Sequence, residues 1–385
     1  MMYVVCSSGY MEERVRLNKL KEVLLFNNYE FTFIGWLRGK KYKRDIKSYK
    51  YEHIWIGGGY ANKLLILHYP MWIIKVFFKA LQFKKKDLVW AVGLDVAIPI
   101  YIASKIKKFD YVFDNPDNFS LTYNLKGNKK KVVDWIENKV AKNAKYHIIP
   151  SETRFPKKFG NELFIPNFPL ESEYIKANKI YQGKIKASFD VESIKSDKRF
   201  KIYINGRMTA SRGYDWVSDV LKELDEKKFL IIVVGDINCS KLKDVIKEKN
   251  NFIVYDRLPN YEALSIYMMS DIVLAFYDPK IPINVKAEPN KWWDCVKCQV
   301  PFVSNIEIET LKTFKNKNAC FTINYGDKEE LVKLLNDLEK NKEKLEKIRN
   351  NLKEIDVQDW QVIIEKYLPL KNNRKDKNEA VNSKL

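Results

Sequence analysis

Tyr203-Ile-Asn-Gly-Arg-Met-Thr-Ala-Ser-Arg-Gly213 is the stretch whose reading decides the fold. Ahead of it, Phe200 to Ile204 mixes aromatic and β-branched residues over the length of a strand. Behind it, Tyr214 to Leu224 sets Trp216, Val217, Val220, Leu221 and Leu224 on one helical face. The chain here reads strand, glycine-bearing loop, helix, with Gly206, Arg207, Arg212 and Gly213 in the loop. A helix start offers unpaired N–H groups and the positive end of the helix dipole, and two guanidinium forks add charge-assisted donors. A diphosphate suits such a place. A basic surface turn is the plainer alternative.

The rest of the chain is large enough to give that unit a context. Its 385 residues suggest two domains, and 46% hydrophobic residues with 22 Tyr and 21 Phe describe a globular chain. The net charge of +20 points to nucleic acid, anionic lipid or phosphorylated ligands. Residues 1–170 hold much of the excess, with 30 basic against 15 acidic side chains. Five cysteines are too few and too unevenly placed for a disulfide framework. Cys295-Val-Lys-Cys298 is a lone CxxC in a predicted helix without nearby histidines, so no metal site is expected. The opening Met-Met-Tyr-Val-Val-Cys lacks a basic leader and reads as a strand; a cytoplasmic setting is expected.

The N-terminal half alternates strands and helices, as a parallel α/β domain does. Strands are expected at Tyr3–Ser7, Phe31–Gly35, His53–Ile56, Leu88–Val92 and Phe109–Phe113. Ser8-Gly9 is a turn after the first. Glu12–Asn27 is a helix with Val15, Leu17, Leu20, Val23 and Leu24 inward, and Asp95 is the expected N-cap of a later one. Asp114-Asn-Pro-Asp117 lies at the end of a strand, where open α/β sheets bind ligands; a turn shaped by these residue types is the alternative.

Ala61 to Lys86 holds long apolar runs, but Pro70, Lys75 and Lys79 argue against a membrane span. Six lysines, no acid and a Lys84-Lys-Lys86 ending suit the membrane interface instead. Trp72, Phe77 and Phe78 are then expected at the acyl boundary.

The second half restarts the alternation, with strands at Phe200–Ile204, Phe229–Gly235, Phe252–Tyr255, Ile272–Phe276 and Pro301–Val303. Residues 331–348 read as one charged amphipathic helix, and 357–367 as another with Trp360, Ile363 and Ile364 on one face.

Two motifs, in order, resemble a known family. Gly206-Arg-x-x-x-x-Arg212-Gly is similar to the Gly-Arg-x-x-x-x-Lys-Gly segment of family 4 (group 1) glycosyltransferases of the GT-B fold. Glu288-Pro-Asn-Lys-Trp-Trp-Asp294, followed by Gln299-Val-Pro-Phe-Val-Ser-Asn305, resembles that family's Pro-Asn-Lys-x-x-Glu…Gly-x-Pro-Val-Ile segment. The resemblance implies two Rossmann-like domains facing a central cleft: residues 1–170 binding acceptor, 171–198 connecting, 199–352 binding the nucleotide sugar. Residues 353–370 would cross back to the first domain, ahead of a disordered tail at 371–385.

It further implies a retaining sugar transfer from a nucleotide-sugar donor to a lipid-linked or glycan acceptor, without cofactor or metal, at an anionic membrane surface. Arg207 and Arg212 would meet the diphosphate and serve catalysis by doing a cation's work on it as it leaves. Asn290 and Lys291 would bring N–H groups near it, and Gly9, Gly206 and Gly235 belong to the donor-binding set. Asp256, Arg257 and Leu258 would hold the base, and Asp294 the ribose. Asp114 and Asp117 take the catalytic-site positions. The family's usual first glutamate aligns with Lys286, leaving Lys286 or Glu288 open for that role. A nucleotide-sugar epimerase of the same fold and a basic nucleic-acid-binding protein are the rival readings; no nucleic-acid-binding motif is present, so no nucleic-acid partner is expected.

Overall fold

The computed structural model describes residues 1–39, 46–59, 65–357 and 359–368. Its first sheet comprises β1 (Met2–Cys6), β2 (Phe31–Leu37), β3 (Lys50–Ile56), β4 (Leu88–Val92), β5 (Asp110–Asp114), β6 (Tyr146–Ile149) and β7 (Glu162–Phe164). Their order is β3-β2-β1-β4-β5-β6-β7. The second comprises β8 (Phe200–Met208), β9 (Phe229–Ile237), β10 (Phe252–Tyr255), β11 (Ile272–Leu274), β12 (Phe302–Asn305) and β13 (Phe321–Ile323), ordered β10-β9-β8-β11-β12-β13. Every pairing is parallel.

Helices α1 (Val15–Phe26), α2 (Leu65–Ala80), α3 (Leu94–Lys107), α4 (Phe119–Thr122) and α5 (Gly127–Asn143) accompany the first sheet. Next come α6 (Glu171–Tyr181) and α7 (Val191–Ser196). With the second sheet run α8 (Tyr214–Glu223), α9 (Ser240–Glu248), α10 (Asn260–Met268), α11 (Pro282–Val285), α12 (Asn290–Cys298), α13 (Lys312–Asn316), α14 (Lys328–Lys340) and α15 (Lys342–Lys353). The last is α16 (Trp360–Tyr367).

Helices cover both faces of each sheet, so central strands are apolar without alternation. Leu88–Val92 is buried at all five positions. One core of the first domain lies between β1, β4 and α1 and takes in Trp360, Ile363 and Ile364. Helix α16 therefore closes the first domain after the chain has built the second. Trp360 Nε1 donates to the Pro166 carbonyl at 2.8 Å and fixes that return.

Several expectations need correcting. Residues 171–198 are more than a connection: Ala177, Ile180, Phe189 and Ile194 pack into the second domain's core. The strand at 200 extends to Met208, because its register with β9 continues through Gly206↔Gly235 and Arg207↔Asp236. Asp95 is not an N-cap; Gly93 holds that position and Asp95 sits in the first turn of α3. The helix expected over 331–348 breaks at Asn341, where the backbone leaves helical geometry. Val15 is exposed rather than inward. Trp72 is wholly buried and stacks on Trp36, so it cannot meet a membrane. The expected tail at 371–385 lies outside the described residues.

Candidate functional site

Strand order reverses beside β1 in one sheet and beside β8 in the other. Ligands bind past the carboxyl ends of strands at such points. Here both sets of strand ends open onto one cleft of about 790 Å³ between the domains.

The second domain supplies a cationic wall. Arg207 stands at the end of β8, and Arg212 lies in a short 3₁₀ turn before α8 with its guanidinium 4.5 Å from the Tyr277 ring centre. Both line the cleft with Gly206, Gly235, Asn290, Lys291 and Asp294. Gly206 and Gly235 are juxtaposed so closely that a Cβ on Gly235 would lie 2.2 Å from the Gly206 carbonyl oxygen. Positive φ values at both positions (88° and 122°) demand glycine as well. The main chain is thereby left bare where a ligand approaches.

Asn290 and Lys291 form the first turn of α12, whose N–H groups are available to an anion. Enclosure and the neighbouring Arg212 charge push the Lys291 ammonium down to about 7. Burial raises the Asp294 carboxyl, opposed first by Lys19, while burial lowers Lys19, opposed first by Asp294. Arg257 clamps Asp236 at the rim, with Nε 2.8 Å from Oδ1. Leu258 and Arg257 line the cleft, whereas Asp256 is exposed and off its wall.

The first domain's wall differs from expectation. Asp114 is 1% exposed; Arg16 Nε donates to its Oδ1 at 2.8 Å and Trp90 Nε1 to its Oδ2 at 3.1 Å. Both oxygens are thus engaged below the cleft floor and Asp114 does not line the cleft, whereas Asp117 does. Gly9 also stays off the wall: its N–H donates to Glu13 Oε2 at 2.9 Å and its carbonyl lies 2.7 Å from His53 Nε2. His147 of β6 is buried and stacks on Phe113.

Residues missed in the sequence bridge the two walls. Buried Arg154 donates from Nε to the Lys286 carbonyl at 2.9 Å and from Nη1 to Asp117 Oδ1 at 2.8 Å and to the Pro116 carbonyl. Asn167 Nδ2 donates to the Glu288 carbonyl at 2.7 Å. Lys19 Nζ donates to the carbonyls of Asn167 and Phe168. On a chain with 69 basic residues, no local pattern marks these cations.

The open choice between Lys286 and Glu288 acquires a geometry. Glu288 lines the cleft, accepts from Trp293 Nε1 at 2.8 Å, and is pushed by burial up to about 7 against the opposing Arg154 charge. The Lys286 ammonium instead lies 4.0 Å from Glu309. Among the described residues no group of three or more His, Cys, Asp or Glu is placed to hold a metal ion, and Cys295 and Cys298 are free thiols.

No family model matches the chain. A curated relative, an uncharacterized 41.2 kDa protein in the cps region of Klebsiella pneumoniae, is 22% identical over 68% of this chain and 71% of its own. Among solved structures, HepE of Anabaena in complex with UDP and glucose is 15% identical, with a TM-score of 0.61 over 100% of this chain and 99% of that one. Sucrose-phosphate synthase from Thermosynechococcus elongatus is 12% identical, with a TM-score of 0.67 over 95% and 96%. WaaG, a glycosyltransferase involved in lipopolysaccharide biosynthesis, is 11% identical, with a TM-score of 0.62 over 95% and 98%. At these identities the likeness establishes the fold: an α/β chain in the GT-B arrangement of two Rossmann-like domains.

Proposed function

We propose that the chain is a glycosyltransferase that moves a sugar from a nucleotide-sugar donor to a lipid-linked or glycan acceptor, with retention at the anomeric carbon. The observation that carries this reading is the convergence of Arg207, Arg212 and Lys291 on one cleft wall, with Lys291 in the first turn of α12. A lysine pushed down to about 7 by enclosure and by a neighbouring arginine stands where an anion would relieve the repulsion. A diphosphate fits, and the same charges stabilise it as it becomes the leaving group.

Around that anchor, Asp294 accepts from the ribose hydroxyls and Leu258 flanks the base. Glu288 faces the donor sugar. Asp114 acts as a positioning residue through Arg16, while Asp117 and Arg154 shape the acceptor side. The cleft-lining carboxylates among the described residues each have a cationic neighbour: Asp117 and Glu288 share Arg154, Asp236 has Arg257, and Asp294 has Lys19. A carboxylate so engaged is a poor covalent nucleophile, which supports attack on the same face as the departing diphosphate. The GT-B neighbours, one holding UDP and glucose, and the relative from a cps region support a role in surface polysaccharide assembly. We place the protein peripherally on the cytoplasmic face of a membrane; no helix among the described residues is long and apolar enough to cross one.

The test is a calorimetric panel of nucleotide sugars, followed by product analysis with the donor that binds. Release of nucleoside diphosphate with free or transferred sugar is expected. Recovery of an epimerised donor, or binding of oligonucleotides in place of every nucleotide sugar, would overturn the reading.

A further inference from the structure

Beside the cleft, a second cavity of about 390 Å³ opens among the helices of the first domain. Its walls include Ile73 of α2, Leu94 and Ile98 of α3, and Val133 and Ile136 of α5. Asp95 is the charged residue among its lining, and Asp95 Oδ2 is buried without a hydrogen-bond partner. A buried carboxylate oxygen with an unmet acceptor, at one end of a greasy chamber, is costly without a ligand.

That polar end adjoins the cleft. Val92, the last residue of β4, lines the cleft three positions before Asp95. Arg14, on the cleft wall, interacts electrostatically with Asp95 and Tyr69 on the cavity side and with Asp117 on the cleft side. The outward surface of the same helices is apolar as well. Leu67, Met71, Ile74 and Phe78 repeat along one face of α2, and Ile102 and Ile106 along α3, all between 41% and 64% exposed. Exposed Lys75, Lys84, Lys85 and Lys86 accompany them. Apolar surface fringed by cations complements an amphiphile with an anionic head.

We infer that this cavity holds the hydrocarbon tail of a lipid-borne acceptor, with its polar head turned past Asp95 and Arg14 into the cleft. The inference rests on the glycosyl-transfer reading and narrows its acceptor to a lipid. A cavity of this volume is of ligand size, and Asp95, the charged group among its described lining, interacts with Arg14 of the cleft wall. The exposed stripe on α2 lies against the bilayer from which the tail is drawn.

The test compares decyl β-glucoside, below its aggregation threshold, with methyl β-glucoside by calorimetry on the full chain. Burial contributes about fourfold in affinity per methylene, so the decyl compound should bind at least a hundredfold tighter to the wild type. Ile98→Trp fills the cavity and should abolish that advantage. Val133→Asp, at a half-buried position, should do so too and serves if the first variant fails to fold. Leu67→Ser with Phe78→Ser on the outer stripe should leave the advantage in place.

Equal binding of the two glucosides to the wild type, or an advantage surviving both cavity variants, would overturn the inference. So would an advantage lost only with the stripe variant, which would mean adsorption to the surface. The same panel of nucleotide sugars titrated into each protein separates the two readings. Binding of any of them without a tail advantage sinks the tail site alone, whereas a tail advantage without binding of any of them sinks the transferase.

Discussion

The two walls of the cleft are built on different plans. On the second domain the ligand-facing charges sit next to one another in the chain, at the end of β8 and at the start of α12. On the first they come from scattered places: Arg14 before α1, Asp117 after β5, and Arg154 in a loop after β6. In the second domain Arg207, Arg212 and Lys291 line the cleft, whereas Arg16 and Arg154 in the first are buried and give most of their donors to protein acceptors. One wall is arranged to meet an anion; the other uses the same residue type to hold itself together.

The widest consequence concerns stability. Truncating one partner of a buried ion pair leaves an uncompensated charge and costs about 3–5 kcal/mol. Arg16→Ala should therefore lower the unfolding free energy by about that much in urea titrations. An unchanged midpoint would mean that Asp114 is not held by this pair, and the distinction between the walls would fail.

Next in size is the converse on the second domain's wall. Arg207→Ala and Arg212→Ala should each weaken nucleoside diphosphate binding roughly tenfold to a hundredfold, from about 1.5–3 kcal/mol per charge-assisted hydrogen bond. Neither should move the melting temperature appreciably. Calorimetry and thermal unfolding on the same samples would show whether effects on binding and on stability part company as the two plans require.

A third effect is on pH. Enclosure and the Arg212 charge push Lys291 down to about 7, and a bound diphosphate would raise that value. Affinity is then complete below about 7 and falls as pH rises toward the bound value, by at most about tenfold per unit. Lys291→Arg should flatten this fall between pH 7 and 9, because guanidinium stays charged. A wild-type profile identical to the variant's would remove Lys291 from the diphosphate site.

The smallest effect belongs to the outer surface of the first domain. Each lysine near an anionic bilayer contributes roughly fivefold to binding, so replacing Lys84, Lys85 and Lys86 by Glu should weaken cosedimentation with anionic liposomes at low salt. Donor binding should not change. Equal sedimentation by both proteins would assign the basic surface of this domain to something other than lipid.

What the sequence made legible follows the same division. Gly206, Arg207, Arg212 and Asp294 could be placed because strand, turn and helix start are local patterns, and a ligand contacting two such starts reads contiguous residues. Trp72 could not be placed, because the stretch around it is apolar on both faces and its periodicity does not say which face turns inward. Asp114 misled for a related reason. A carboxylate at a strand end is well positioned for chemistry, and only the arrival of Arg16 from α1 and Trp90 from β4 shows that it is occupied. Arg154 bridges the domains through the Lys286 carbonyl and Lys19 holds the carbonyls of Asn167 and Phe168, and main-chain carbonyls carry no residue identity to be recognised. The break at Asn341 was hidden because the charged, amphipathic pattern runs on across it.

Trp360 and its helix have a consequence for the order in which the molecule can be made. The first core contains Met2 at one end of the chain and Leu368 near the other, so the domain that is synthesised first cannot be completed first. While the second domain is being translated, the groove awaiting Trp360 between α1 and Pro166 stays open. Nascent chains halted before residue 360 would hold a finished second domain beside an unfinished first. The first domain is completed only when α16 is made, which makes that helix a checkpoint on synthesis.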